Sequence, residues 1–154
     1  MFEEAHRHGL PFGCTQCSFC CAGSPGYVWL CDKDIESLLV FLGMDFETFV
    51  RTCCKYVEVE GGRALSLGER AGYACVFLDG GKCSVYTARP VQCRTYPFWE
   101  EILESEATWK AEVAYCPGIG AGGTVPPEKI AGAILESRSN PRRLFPRNGS
   151  EEQR

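Results

Sequence analysis

The stretch "CTQCSFCC", residues 14–21, places four cysteines within eight positions. Cys14, Cys17 and Cys20 are each separated by two residues, a spacing at which a tight turn can direct several sulfurs toward one ion. Cys21 directly follows Cys20, and neighbouring side chains in an extended segment point in opposite directions. Residues 14–21, called the octet below, therefore predict more than one metal ion or a single multinuclear cluster.

The composition of the chain limits what else can bind a metal. Among 154 residues there are 11 cysteines but only two histidines, both close to the N-terminus. A metal site deeper in the chain must therefore use thiolate or carboxylate ligands. The formal net charge of −4 argues against a general nucleic-acid-binding protein, which usually carries a basic surface. We therefore expect no nucleic-acid partner.

The start of the sequence and its hydropathy predict the compartment. Residues 1–13 lack the basic segment and following apolar run that mark a secretory signal. No stretch reaches the roughly 18 apolar residues of a membrane-spanning helix. We therefore expect a cytoplasmic protein without membrane contact, whose reduced thiols serve as metal ligands or redox groups. A secreted disulfide scaffold is the alternative interpretation.

The pattern of apolar residues and turn signals predicts an α+β fold. We expect a small, irregular single domain of short helices and β-hairpins, organised around metal–thiolate sites. Residues 1–13 are predicted to be a lead-in, residues 14–138 the metal-binding domain, and residues 139–154 a flexible tail. The predicted elements are hairpins over 56–67 and 75–86, a helix over 33–43 capped by Asp32, helices starting at Asp45 and Pro90, a Gly/Pro-rich loop over 116–127 and a helix over 127–138.

Four further cysteines lie near predicted boundaries between elements, where a side chain can reach an ion. Cys75 and Cys83 flank the turn of the second hairpin, and strand pairing there can bring their sulfurs close. Cys93 lies in the short helix after Pro90, and Cys116 opens the Gly/Pro-rich loop. These four positions are therefore candidate ligands.

The other three cysteines carry a weaker signal. Cys31 and Cys53 fall within apolar patterns, and free cysteine packs well as a small hydrophobic residue. We interpret both as structural. Cys54 has no clear role in the pattern and is interpreted as a spare thiol.

Two arginines flank one of the candidate ligands. Arg89 and Arg94 lie on either side of Cys93 and can reduce the charge of a thiolate cluster or bind an anion. The alternative interpretation is a pair of salt bridges to acidic residues such as Asp79 or Glu100. The sequence favours neither interpretation.

Three quoted segments together resemble a known family. They are "CTQCSFCC" (14–21), "CVFLDGGKCSVYTARPVQCRTYPF" (75–98) and "CPGIG" (116–120). This ordered motif resembles the YkgJ-type cysteine-cluster family, the C-x-x-C-x-x-C-C family of zinc- or iron-chelating domains, over about residues 14–120. A related cluster occurs in flagellin lysine N-methylases, joined to further sequence. The resemblance implies eight ligands, namely Cys14, Cys17, Cys20, Cys21, Cys75, Cys83, Cys93 and Cys116.

Iron and zinc both accept all-thiolate sites. The consecutive two-residue spacings and the distant Cys-Pro are similar to bacterial ferredoxin ligation, although Cys21 breaks the spacing expected for its fourth cysteine. Zinc bound by four cysteines needs no histidine and has no open position, so it would be structural. We favour an iron–sulfur cluster as the cofactor, with a zinc ion as the alternative.

The sequence narrows the function to three classes without choosing a substrate. The first is a metal-binding protein that chelates iron or zinc through eight cysteines and serves a protein partner. The second is a redox or protein-modifying enzyme whose cluster resembles that of the flagellin lysine methylases. The third is a metal storage or delivery protein. No catalytic residue is identified, because the sequence contains no Ser-His-Asp set and no thioredoxin-like C-x-x-C pattern.

Overall fold

Short helices and short antiparallel strands alternate along the chain in the computed structural model, which describes residues 1–148. The helices are α1 (Glu3–Arg7), α2 (Asp32–Leu42), α3 (Phe46–Cys53), α4 (Val91–Thr95), α5 (Glu106–Glu112) and α6 (Pro127–Ser139). The strands are β1 (Leu10–Phe12), β2 (Cys54–Val59), β3 (Gly62–Leu67), β4 (Glu69–Arg70), β5 (Ala74–Cys75), β6 (Leu78–Asp79), β7 (Lys82–Cys83), β8 (Ile119–Val125) and β9 (Leu144–Phe145). The predicted α+β class is confirmed.

The strands form one three-stranded sheet and three separate pairs. The sheet has the order β2-β3-β9, and the pairs are β1–β8, β4–β5 and β6–β7. Both predicted hairpins are present, the first with six-residue strands β2 and β3 and the second with two-residue strands β6 and β7. In β6–β7 the turn is made by Gly80 and Gly81, whose φ angles of 55° and 77° are left-handed, as a two-residue hairpin turn requires.

Helices α2 and α3 begin and end close to the residues that the sequence predicts. The cap of α2 is Cys31 and not Asp32: its sulfur accepts a hydrogen bond from the backbone N–H of Asp34. Gly43, with a φ of 63°, ends the helix in the left-handed conformation typical of this position. Asp45 caps α3 as predicted, since its carboxylate accepts from the Thr48 N–H at 2.7 Å.

Two hydrophobic clusters make up the interior. The terminal core combines α1, β1, α5, β8 and α6 with the segment after α4, and its buried members are Ala5, Leu10, Phe98, Ile102, Leu103, Trp109, Cys116, Ile119 and Ile130. The central core combines α2, α3 and β3 with the short hairpins, and its buried members are Leu30, Ile35, Leu38, Phe49, Cys53, Leu65, Leu67, Phe77 and Val85. Among residues 1–148, no buried residue belongs to both cores.

The predicted lead-in and the described part of the predicted tail both carry strands that pair with other parts of the chain. Leu10 of β1 is buried and pairs with Val125 of β8. Strand β8 lies within residues 116–127, which the sequence predicts to be a loop. Phe145 of β9 pairs with Arg63 of β3. These pairings join residues 115 and 82 positions apart, which local sequence patterns do not report. Residues 149–154 of the predicted tail lie outside the described residues.

None of the helices in residues 1–148 combines the length and the apolar character needed to cross a membrane.

The buried carboxylate of Asp34 joins helices α2 and α4. Asp34 is only 2% exposed. Its Oδ2 accepts from the Cys31 N–H at 3.1 Å, and its Oδ1 accepts from the Val91 N–H at 2.9 Å. The first turn of α2 is therefore bonded to the first turn of α4, which carries Cys93.

We expect Asp34→Ala to lower the free energy of unfolding by about 2–4 kcal/mol, because it leaves two buried N–H groups without their charged acceptor. Urea unfolding of the reduced protein measures the change. The matched control is Asp32→Ala, which removes an exposed carboxylate from the same first turn of α2. This substitution should cost less than about 1 kcal/mol. Equal effects of the two substitutions would contradict the assigned role of Asp34.

Candidate metal centre

Three hydrogen bonds fix the octet to other parts of the chain. Before the octet, the Gly13 N–H donates to the Gly118 carbonyl at 3.0 Å, beside Cys116. Within it, the Ser18 hydroxyl donates to the Gly81 carbonyl at 2.6 Å, in the β6–β7 turn. After it, the Gly23 N–H donates to the Gly72 carbonyl at 3.1 Å, just before β5. The octet therefore runs from the Cys116 loop to the hairpins that carry Cys75 and Cys83.

The spacers between the first three cysteines are bent tightly. Gln16 and Ser18 have φ angles of 55° and 65°, in the left-handed region that residues other than glycine rarely adopt. One such residue lies in each two-residue spacer. This conformation costs about 1–2 kcal/mol per residue and must be held by its surroundings. The backbone of the octet is therefore turned within both spacers.

Five thiols lie close enough to influence one another's protonation. The members of this five-thiol group are Cys20, Cys21, Cys75, Cys83 and Cys93. Burial, followed by the charges of Cys75, Cys20 and Cys83, raises the pKa of Cys93 to about 12. Burial and the Cys83 charge also raise the pKa of Cys75. Thiols from the octet, both short hairpins and α4 therefore share one region.

The adjacent cysteines of the octet form a coupled pair. The Cys20 and Cys21 sulfurs lie 3.8 Å apart within the 3₁₀ turn Phe19–Cys21. The hydrogen bond from Cys21 lowers the pKa of Cys20 from an ordinary 9.0 to about 6, against the effect of burial and with help from the Arg89 charge. The same hydrogen bond raises the pKa of Cys21. The hydrogen bond between the two sulfurs therefore favours loss of the first proton from Cys20.

The remaining candidate ligands form a three-thiol group, which consists of Cys14, Cys17 and Cys116. Cys116 is buried in the terminal core, and burial together with the nearby Cys17 raises its pKa. Cys14 directly follows Gly13, whose N–H is bonded to the Cys116 loop. The beginning of the octet and the Cys116 loop are thus adjacent.

Polar groups near two of the candidate ligands offset part of the cost of burying their thiolates. The Phe77 N–H acts to lower the pKa of Cys75. The Gly118 N–H and the Tyr96 hydroxyl act to lower the pKa of Cys116, while the Ile119 N–H donates to the Cys116 carbonyl at 3.1 Å. Burial outweighs these contributions, so the pKa of each thiol is still raised.

The two arginines beside Cys93 have different roles. The Arg89 guanidinium lies 3.8 Å from the centre of the Tyr86 ring, and its charge lowers the pKa values of Cys20 and Cys93. Arg94 instead forms a salt bridge with Glu136 of α6. The salt-bridge interpretation thus applies to Arg94, but with a different partner from Asp79 or Glu100. Arg89 faces the thiols.

The cysteines outside the eight candidates lie in other surroundings. Cys31 caps α2, and Cys53 is buried in the central core. Burial and then the Cys53 charge raise the pKa of Cys54 to about 12. Sequence reasoning missed the role of Tyr96, which contacts Cys116 and donates to Glu112 at 2.6 Å. No local signal marks that contact, since Tyr96 and Cys116 lie on different elements.

The donor set fits iron or zinc by its chemistry, because both ions are bound by thiolates in all-cysteine sites. Within residues 1–148, no three or more His, Cys, Asp or Glu side chains are already arranged to hold an ion. The thiols are gathered without forming a closed coordination shell. Metal binding therefore requires thiol side chains to turn toward a common centre.

A small α+β domain with thiols gathered from several segments defines a class, the cysteine-rich metal-chelating domains. Residues 13–117 match the CxxCxxCC family, described as "Putative zinc- or iron-chelating domain". This match covers more than half of the chain, and the chain belongs to that family.

One curated relative is "Uncharacterized protein MJ0661" of Methanocaldococcus jannaschii, which is 27% identical over 124 residues. The aligned region covers 77% of this chain and 64% of the relative, so the chain spans less than two thirds of that protein's length. No solved structure matches the chain.

We expect Gly118→Ala to disrupt the contact between the octet and the Cys116 loop. A Cβ atom at this position would lie 2.3 Å from the Gly13 carbonyl oxygen, so the backbone would have to move. The free energy of unfolding should fall by about 1–3 kcal/mol. Gly123→Ala is the matched control, because a Cβ there meets nothing within 4 Å. Thermal and urea unfolding compare the two, and equal stabilities would contradict the close packing.

The coupled pair predicts a pH profile for alkylation of the metal-free, reduced protein. Iodoacetamide attacks the thiolate, and a pKa of about 6 keeps Cys20 deprotonated at neutral pH. Its alkylation rate should therefore change little between about pH 7 and 9, whereas Cys93, with a pKa of about 12, should stay unreactive. Peptide mapping by mass spectrometry measures both rates.

The control for this experiment is Cys21→Ala, which removes the main cause of the lowered pKa. Cys20 reactivity should then rise with pH toward the profile of an ordinary thiol. An unchanged profile would show that the neighbouring sulfur does not stabilise the Cys20 thiolate.

Proposed function

We propose that this chain is a cytoplasmic metal-binding protein that holds iron, as an iron–sulfur cluster, through the eight cysteines of the two thiol groups. Zinc is the alternative ion. The observation that carries the proposal is the gathering of thiols from the octet, the short hairpins, α4 and the Cys116 loop. All 11 cysteines are free thiols, which suits a reducing compartment.

Electrostatics explains why such a group needs a cation. The charges of Cys75, Cys20 and Cys83 all act to keep the proton on Cys93. A metal ion replaces the protons and turns the repulsion between thiolates into attraction toward a common centre. Arg89 adds a fixed positive charge on the same side. The group is therefore suited to release protons and bind a cation.

The choice of iron rests on the octet. Its consecutive two-residue spacings are those with which ferredoxin-type loops bind iron–sulfur clusters. The Phe77 N–H near Cys75 and the Gly118 N–H near Cys116 are groups of the kind by which proteins tune cluster sulfurs. A bound cluster would supply one-electron chemistry, while the residues around it bind, orient and shield it.

We propose that the protein is a metal-binding module that serves a protein partner. Cys14 and Cys20 are exposed, so the centre is accessible to another protein from the surface. The same exposure suits the alternative of metal storage or delivery, in which the ion passes to an acceptor. A redox or protein-modifying enzyme is the other alternative.

The first experiment is anaerobic purification, followed by measurement of iron, zinc, acid-labile sulfide and the visible spectrum on one sample. We expect iron with sulfide and a broad absorbance at about 400 nm that dithionite bleaches. Cys83→Ser should lose metal. Cys31→Ser should retain it, because serine can still cap α2.

Other outcomes choose among the alternatives. Tightly held zinc without sulfide would replace the cluster by a structural ion, and metal that passes rapidly to a competing chelator would favour delivery. Neither metal, or equal metal loss in Cys83→Ser and Cys31→Ser, would overturn the proposal.

A further inference from the structure

The geometry points to two separate four-thiolate sites. One site takes Cys14, Cys17 and Cys116, the other takes Cys75, Cys83 and Cys93, and the adjacent Cys20 and Cys21 contribute one sulfur to each. This inference rests on the proposed function and specifies how its eight ligands are divided.

The backbone contacts of the octet separate its two ends. Gly13 is bonded to Gly118 beside Cys116, while Ser18 is bonded to Gly81 beside Cys83. The five residues from one contact to the other can span at most about 18 Å when extended. Cys14 therefore lies next to the Gly13–Gly118 contact, and Cys20 and Cys21 follow the Ser18–Gly81 contact.

The two sets of thiols also belong to different hydrophobic cores. Cys116 is a buried member of the terminal core. Cys75 and Cys83 pack against the central core. Since the two cores share no buried residue, each set of ligands is held by its own framework. Sulfurs bound to one zinc-sized ion all lie about 2.3 Å from it, which favours ligands supported by one framework.

The number of ligands agrees with this division. Each site has three thiols besides the adjacent pair, and a four-thiolate site needs one more. Cys20 and Cys21 are the two that remain, and they lie where the octet reaches the hairpins. Their sulfurs are 3.8 Å apart in a 3₁₀ turn, so the two side chains must turn toward different ions for this turn to complete both sites.

Cadmium-113 is a suitable probe, because it binds thiolates and its resonances report each site separately. The full-length, reduced apoprotein is titrated anaerobically with ¹¹³Cd²⁺ and observed by NMR. We expect two bound cadmium ions per chain and two resonances without cadmium–cadmium coupling. Coupling between the resonances would reveal a bridging sulfur, and a single multinuclear cluster would overturn the division.

Paired substitutions test which cysteines belong together. Cys17→Ala with Cys116→Ala should remove one resonance and halve the stoichiometry, and Cys75→Ala with Cys83→Ala should remove the other. Cys54→Ala should keep both. Far-UV circular dichroism checks the fold of each variant. If a variant fails to fold, the coupling pattern of the unsubstituted chain still decides between two sites and one cluster.

The outcomes distinguish the inference from the proposed function. Loss of both resonances in a folded pair variant would overturn the division but leave eight-cysteine metal binding intact. Failure of the unsubstituted chain to bind cadmium would overturn both.

Discussion

Repulsion between crowded thiolates is the constraint on which the cysteine-rich half of this structure depends. The five-thiol group contains more potential negative charge than the nearby cations Arg89 and Arg70 can balance. Burial, followed by the charges of Cys75, Cys20 and Cys83, raises the pKa of Cys93 to about 12, so without a metal the proton stays on that sulfur. With a metal, the same sulfurs become cross-links. The strands β4 to β7 are each only two residues long, and buried Phe77 and Val85 hold this region to the central core.

Helix α4 is the rigid element that presents Cys93 to this group. Asp34 bonds its first turn to α2, and the Gln92 side chain accepts from the Trp29 N–H and donates to the Tyr27 carbonyl. Arg94 binds Glu136 of α6 on another side. A helix of five residues has little stability by itself, and these contacts supply it. Cys93 is therefore fixed between the two cores before any metal binds.

Sequence reasoning succeeded where the signal is local. The Gly43 stop of α2, the Asp45 cap of α3, the hairpin turns and the α+β class follow from residues a few positions apart, whereas the cap of α2 is Cys31 and not the predicted Asp32. It failed for β1, β8 and β9, because each pairs with a strand far away in the sequence. The Gly/Pro-rich segment was predicted to be a loop, yet Gly118 is needed for close packing against Gly13. For the site, the motif predicts the eight candidate ligands. The salt bridge between Arg94 and Glu136 has no local signal, because the two residues lie 42 positions apart.

The sequence by itself determined the chemistry of this protein: the dense thiols, the scarcity of histidine and the spacing of the octet specify a thiolate metal site and the family. Tertiary structure alone decided how the thiols are grouped. Grouping depends on which carbonyls the octet's backbone meets and which core each distant cysteine joins, and both are set by contacts between residues many positions apart. Cys75 shows the difference, since it pairs with Glu69 and not with Cys83, yet lies in the same thiol group.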